Sequence, residues 1–379
     1  MVSPQLLTHQ PPSRRRSRLR TDRHQKLVAL LILLASIGGC VSRLGRLEPL
    51  PAEVLKSTPE RLARGAYLIE HVTVCLDCHS QRDGNTYSAP IVVGTEGRGG
   101  EVFDGRYGVP GVVYGTNITP AGLAEWTDDE LLRAVTTGVN REGNVLFPVM
   151  PYRNYRHLTQ GDAAAIASYV RTLSPIRHTV PPRQLNFFVK FLIRSFAIDG
   201  VRLAPAVDED GVRDEAEQVR QGQYLTQLAN CGDCHTPRDL AGTPEPGRLM
   251  AGGIKFTLPQ GTVWAANITP DPDTGIGRWT QEAFVARFKS FTGPRSPAGR
   301  VNVDRRNTPM PWTMYAGMTE SDLEAIYVYL QQVPAVRNTV AAFAPDPKRA
   351  VTLRSTHRAL ELGHKTAVYS PSHAKDSPG

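Results

Sequence analysis

The spacing of apolar residues predicts two matched sets of helices. Ile166, Tyr169, Val170 and Leu173 fall at i, i+3, i+4 and i+7, and Ile326, Tyr329, Leu330 and Val333 repeat the pattern. That spacing places four side chains on one face of an α-helix. Upstream of each, a shorter apolar run follows a capping signal. Thr127 with Glu130 makes a capping box ahead of Leu131, Leu132 and Val135, and Thr280 stands in the same place before Phe284, Val285 and Phe288. Between these elements, residues 84–120 and 236–275 are rich in Gly and Pro and hold neither a helical nor an alternating pattern. They are expected to be loops.

Three further stretches stand apart. Residues 27–39, LVALLILLASIGG, are an apolar run of 13 behind a basic segment. This is short of the roughly 20 residues a spanning helix needs and matches the core of an export signal. Residues 1–39 are therefore expected to be a lipoprotein signal peptide, because Ile37, Gly38, Gly39 and Cys40 resemble a lipobox. Cys40 would become the acylated first residue, anchoring the chain to a membrane without a spanning helix; an uncleaved anchor is the alternative. Residues 181–212 form a linker whose core, LNFFVKFLIRSFAI (185–198), is apolar with two basic residues. It reads either as a hydrophobic strap packed across the two domains or as an interfacial membrane contact. Residues 343–379, rich in Pro, Ser, His and Lys, lack periodicity and are expected to be a disordered tail.

The chain is written twice, and the two copies define units at 58–180 and 213–342. GAYLIEHVTVCLDCHS (65–80) returns as GQYLTQLANCGDCHT (222–236), and Asn117-Ile-Thr-Pro returns at Asn267. Trp126 is answered by Trp279, VMPY (149–152) by PMPW (309–312), and Tyr169 to Val180 by Tyr329 to Val340, all in the same order. The formal net charge of +8 might suggest nucleic acid, but seven basic residues against Asp22 within the first 39 supply +6 of it. What remains is close to neutral, and a nucleic-acid partner is excluded.

The five cysteines sort completely: Cys40 for lipid and four in two CxxCH motifs, Cys75, Cys78 and His79, then Cys231, Cys234 and His235. Two thiols beside a histidine in one turn are what covalent attachment of haem c needs, with the histidine on the iron. A zinc site would want four ligands, and each half offers one CxxC with no second pair. Two covalently bound haems c are expected. For the other axial face the candidates are Met150, 71 residues after His79, and Met310, 75 after His235, each before Pro and an aromatic residue. A lone methionine is usually core packing, but these two occupy equivalent places in the repeat. Met314 and Met318 compete in the second half and His157 in the first. Asn117, Thr119, Asn267, Thr269, Trp126 and Trp279 read either as partners of haem propionates or as turn formers and core aromatics.

The order CxxCH, NITP, Trp-Thr, then FPVMPY or TPMPW, twice in tandem, resembles the cytochrome c subunit of bacterial membrane-bound alcohol, gluconate and related sugar dehydrogenases. The likeness covers about residues 60–342, with ANITPDPDTGIGRWT (266–280) its most specific stretch. It implies an all-α fold of two tandem class I cytochrome c domains. In such domains the first and last helices cross, so Gly65 and Gly222 would allow close approach near Tyr169 and Tyr329, and Met150 and Met310 would be the distal ligands. It also implies electron carriage, without catalysis, from a periplasmic dehydrogenase subunit toward ubiquinone or an oxidase, on the periplasmic side of a bacterial membrane. Such subunits typically carry three haem domains, whereas no third CxxCH follows Val340. Two other functions stay open: a dihaem enzyme of the peroxidase type, which needs one iron with a free position, and a free-standing membrane-anchored shuttle.

Overall fold

A computed structural model describes residues 45–205, 214–239, 242–293 and 306–346. The expected signal peptide, Cys40 and the tail beyond residue 346 lie outside the described residues. In the first half, α1 (Pro59–Tyr67) runs through a π-helical turn (Leu68–Val72) into α2 (Cys75–His79), followed by α3 (Asp128–Thr137), α4 (Tyr152–Tyr155) and α5 (Gln160–Val170). The linker carries α6 (Phe187–Leu192). The second half repeats the series as α7 (Glu215–Leu228), α8 (Cys231–His235), α9 (Gln281–Lys289), α10 (Trp312–Tyr315) and α11 (Glu320–Gln332).

The all-α expectation does not hold. The described residues are about 36% helical and 10% strand, and the strands form two three-stranded antiparallel sheets. One joins β1 (Val102–Phe103), β2 (Gly111–Tyr114) and β3 (Gln184–Leu185), the other β4 (Lys255–Leu258), β5 (Gly261–Trp264) and β6 (Phe343–Pro345). Strands of two to four residues are too short to show alternation, so the segments holding β1, β2, β4 and β5 read as loops. Each sheet is closed by a strand that returns after the last helix of its half, with Gly111 opposite Leu185 and Gly261 opposite Pro345. A Cβ at Gly111 would lie 2.2 Å from the Gln184 carbonyl oxygen, and one at Gly261 2.2 Å from that of Ala344. The head of the expected tail, residues 343–345, is thus an edge strand.

The helix signals match the structure, except that Leu173 and Val333 lie beyond the ends of α5 and α11. Thr127 Oγ1 accepts from the Glu130 N–H at 3.2 Å while Glu130 Oε2 accepts from the Thr127 N–H at 3.0 Å, closing the capping box that starts α3. Thr280 caps α9 alone, accepting from Ala283. Thr127→Ala is expected to cost about 1 kcal/mol, read as a lowered urea midpoint with unchanged slope; no shift would mean that the box adds nothing to the helix.

Within each half the first and last helices cross where glycine removes the side chain. A Cβ at Gly65 would stand 2.1 Å from the Ala165 carbonyl oxygen and one at Gly222 1.9 Å from that of Ala325, with Tyr169 and Tyr329 alongside. The core is continuous through both halves, from Leu68, Ile69 and Leu132 to Leu225, Leu323 and Leu330. The halves also meet through paired polar contacts. The Tyr67 hydroxyl donates to Asp322 and accepts from the Thr319 N–H; the Tyr224 hydroxyl donates to Asp162 at 2.6 Å and accepts from the Thr159 N–H. These positions are equivalent in the repeat, so the contact is isologous, like that of a two-fold dimer within one chain. Burial and the facing carboxylates push both phenols up, keeping them protonated donors.

Leu185 and Ile193 of the linker are buried with Phe103 and Val109 of the first half, and Val201 and Leu203 join the core that runs through both halves. No helix among the described residues is long and apolar enough to cross a membrane.

Candidate haem sites

Each CxxCH forms a single helical turn entered through a left-handed residue, Val74 at φ +46° and Asn230 at φ +57°. The turn sets the two cysteines three residues apart and the histidine four after the first, a spacing that groups all three on one side. Both histidines are then oriented by the loop that follows. His79 Nδ1 lies 2.8 Å from the Thr116 carbonyl oxygen and His235 Nδ1 2.7 Å from that of Ala266. A ring N–H donating to a carbonyl puts the proton on Nδ1 and leaves the Nε2 lone pair for a metal. Burial lowers both imidazole pKa values against the opposing pull of these hydrogen bonds, which favours the neutral, ligating form. The loop can approach because Gly115 lacks a side chain; a Cβ there would sit 2.0 Å from the Cys78 carbonyl oxygen.

In the first half these groups open onto a cavity of about 490 Å³, within the roughly 300–1,000 Å³ usual for cofactor sites. Cys78, His79 and Met150 line the same space, with Phe103, Leu131 and Phe147 among its apolar walls. Thiol, free imidazole nitrogen, thioether and dry walls together fit covalent haem. His178 also lines the cavity and was not singled out from the sequence, where it follows the last helix without periodicity. His157 is exposed and does not line the cavity.

The second half builds the same turn. Met310 is partly buried against the core, its N–H bonded to Thr308 Oγ1 at 3.2 Å and its carbonyl accepting from Ser88 Oγ at 2.7 Å. Residues 294–305, which lead up to it, lie outside the described residues. The competitors Met314 and Met318 are buried, at 7% and 1% exposure.

Asn117 and Asn267 act as turn formers. Asn117 Oδ1 accepts from the Thr119 N–H and hydroxyl, and its amide donates to the Ile176 carbonyl; Asn267 does the same with Thr269 and Val336. Each pair ties its loop to the chain leaving the last helix. Trp126 lines the cavity, whereas Trp279 is 38% exposed.

Nothing in the spacing showed that the two CxxCH turns are neighbours. Thr73 Oγ1 contacts Cys75 Sγ at 3.1 Å, the Tyr155 hydroxyl donates to the Thr73 carbonyl at 2.6 Å, and the Asn230 amide donates to that same hydroxyl at 3.3 Å. A hydrogen-bonded chain therefore links Cys75 to the residue before Cys231. Beside each turn an aspartate pairs with an arginine: Asp77 with Arg82 at 3.2 Å and Asp233 with Arg238 at 2.6 Å.

Two turns of this kind define a c-type cytochrome, an electron-transfer protein with covalently bound haem c. No protein-family model matches the chain. The chain is similar to the fructose dehydrogenase cytochrome subunit of Gluconobacter japonicus, at 30% identity over 302 residues, 76% of this chain and 55% of that protein. It is similar to the alcohol dehydrogenase (quinone) cytochrome c subunit of Gluconacetobacter polyoxogenes, at 27% over 344 residues, 84% of this chain and 66% of that one. It also matches a diheme cytochrome c-type of Cereibacter sphaeroides, at 29% over 274 residues, 69% and 82% of the two chains. The resemblance to the cytochrome c subunits of bacterial dehydrogenases that the motifs carry is thus met. The chain spans about half to two thirds of the length of the dehydrogenase cytochrome subunits it matches.

Proposed function

We propose that this chain is a dihaem electron carrier, with one haem on Cys75, Cys78 and His79 and the other on Cys231, Cys234 and His235. Met150 and Met310 would supply the second protein ligand to each iron, within units at 58–180 and 213–342. It would take electrons from a dehydrogenase subunit toward a quinone or an oxidase, on the periplasmic side of a bacterial membrane, held there by lipid on Cys40. The observation that carries the reading is the shared cavity of His79 and Met150, with the imidazole proton placed away from it. When bound, haem c supplies a one-electron couple, which a His/Met pair sets at raised potential. The residues do the rest: the Thr116 and Ala266 carbonyls hold the imidazoles in register, and Phe103, Leu131 and Phe147 keep water from the first site.

The test is the far-red sulfur-to-iron absorption of the oxidised holoprotein, repeated for Met150→Ala and Met310→Ala. The wild type is expected to show the band at two-haem strength, with each variant losing about half. A high-spin iron that binds peroxide in the wild type would instead assign that half to a peroxidase-type enzyme. Copurification of a dehydrogenase subunit separates a dedicated partner from a free-standing shuttle.

A further inference from the structure

The linker leaves its outer face apolar and uncovered. Val189 and Ile193 turn inward, packing with Phe103, Val109 and the cavity-wall residues Phe147 and Val149. Phe187, Phe188, Phe191 and Leu192 turn outward, at 84, 69, 66 and 48% exposure. They are four of the seven exposed large hydrophobics among the described residues, gathered in six consecutive positions. A patch so concentrated marks a contact surface rather than scattered surface apolarity. Its rim is cationic: Lys190 and Arg194 are exposed, and no carboxylate lies between residues 185 and 198. Phe and Leu on one face with Lys and Arg beside them suit the boundary between headgroups and acyl chains of an anionic bilayer.

The path of the chain points to the same occupant. The first described residues run alongside the end of the linker: Leu47 bridges Val201, the Glu48 N–H donates to the Val201 carbonyl at 2.9 Å, and the Val201 N–H donates to the Arg46 carbonyl at 3.0 Å. Cys40 is five residues before Gly45, so at full extension it is within about 18 Å of that residue. An acyl chain at Cys40 would therefore be tethered within about 18 Å of the residue from which the chain runs along the end of the linker.

We propose that Phe187, Phe188, Phe191 and Leu192 seat in the interfacial layer of an anionic membrane, a second foothold that turns the wall of the first cavity toward the lipid. The acylation of Cys40 belongs to the proposed function, but the helix contact does not require it, and the experiment removes it. Holoprotein made with a signal peptide that leaves no acylated cysteine is sedimented with vesicles of phosphatidylcholine and phosphatidylglycerol, or of phosphatidylcholine alone, and scored by protein content. Its haem absorbance and unfolding midpoint serve as the folding control. The wild type is expected to sediment with the anionic vesicles. Phe187→Ser/Phe188→Ser/Phe191→Ser is expected to weaken that binding at least about tenfold, and Lys190→Glu/Arg194→Glu to abolish the preference for anionic lipid. Tryptophan fluorescence of Phe191→Trp is expected to shift to the blue and to be quenched by brominated acyl chains. Equal sedimentation of wild type and triple variant overturns the proposal, and so does wild type that ignores vesicles while the triple variant loses a copurifying dehydrogenase subunit. Because the readout is protein and not haem, a wrong haem count would leave this result standing.

Discussion

Gly222→Ala is expected to destabilise the holoprotein by about 3 kcal/mol, the upper end of ordinary overpacking. Two effects oppose each other at this position. Alanine is the better helix former by about 1 kcal/mol, but its Cβ would lie 1.9 Å from the Ala325 carbonyl oxygen and 2.7 Å from Tyr329 Cβ. A backbone oxygen cannot rotate away as a flexible side chain does, so α7 and α11 must separate and the steric cost wins. The separation would strain the cross-half contacts as well, because Gln221 on α7 and Tyr67 from the other half both bond Asp322 on α11. Urea unfolding followed by far-UV circular dichroism reads the change as a lower midpoint. Gly65→Ala should behave alike, its Cβ meeting the Ala165 oxygen at 2.1 Å. A Gly222→Ala protein that unfolds at the wild-type midpoint would show that the helices do not approach so closely.

Arg82→Ala is expected to cost about 3–5 kcal/mol, the range for stranding one partner of a buried ion pair. Arg82 lies 3.2 Å from Asp77 with only 10% of its side chain exposed, and it also donates to the Ala89 and Ser88 carbonyls. Burial alone would lower the arginine's pKa, and Asp77, Tyr107 and Glu101 more than reverse that. Burial raises the Asp77 pKa, with Arg82 holding it back; Glu101 is raised by burial too, again held back by Arg82 and pushed up by Asp77. Without the guanidinium both carboxyls climb further above their unfolded values. Groups of that kind stabilise the fold below the unfolded pKa and lose the contribution as pH rises through the folded one. The penalty of Arg82→Ala should therefore be small near about pH 4 and full near about pH 8. In the double variant Asp77→Ala/Arg82→Ala much of it should vanish, since the more deeply buried of the two carboxyls is gone and only the partly buried Glu101 is left without the guanidinium. A penalty independent of pH and unrelieved in the double variant would mean that Arg82 contributes packing only.

The two CxxCH motifs were legible because all their residues are contiguous in the chain. The caps at Thr127 and Thr280 and the apolar faces of α5 and α11 were legible because a helix is a local structure with its own period. The crossing glycines, Gly65 and Gly222, were reached only through the family likeness, and the geometry bears them out. The all-α reading failed where strands of two to four residues pair with chain that returns after the last helix of each half, as Gly111 pairs with Leu185. His178 was missed for a similar reason: it meets the cavity only because Asn117 ties the chain after α5 to the NITP loop.

By itself, then, the sequence determined the repeat, the two CxxCH motifs and the helices around them, since all of these are set by neighbours along the chain. Only the tertiary structure decided that the halves meet through Tyr67 with Asp322 and Tyr224 with Asp162, that Tyr155 and Asn230 join the two CxxCH turns, and that the linker hides Ile193 while baring Phe187, Phe188 and Phe191. Those outcomes pair residues 62 to 255 positions apart, or choose which face of a mostly apolar segment is covered. No local period encodes either choice; both follow from how the surfaces of the two halves fit once the helices have formed.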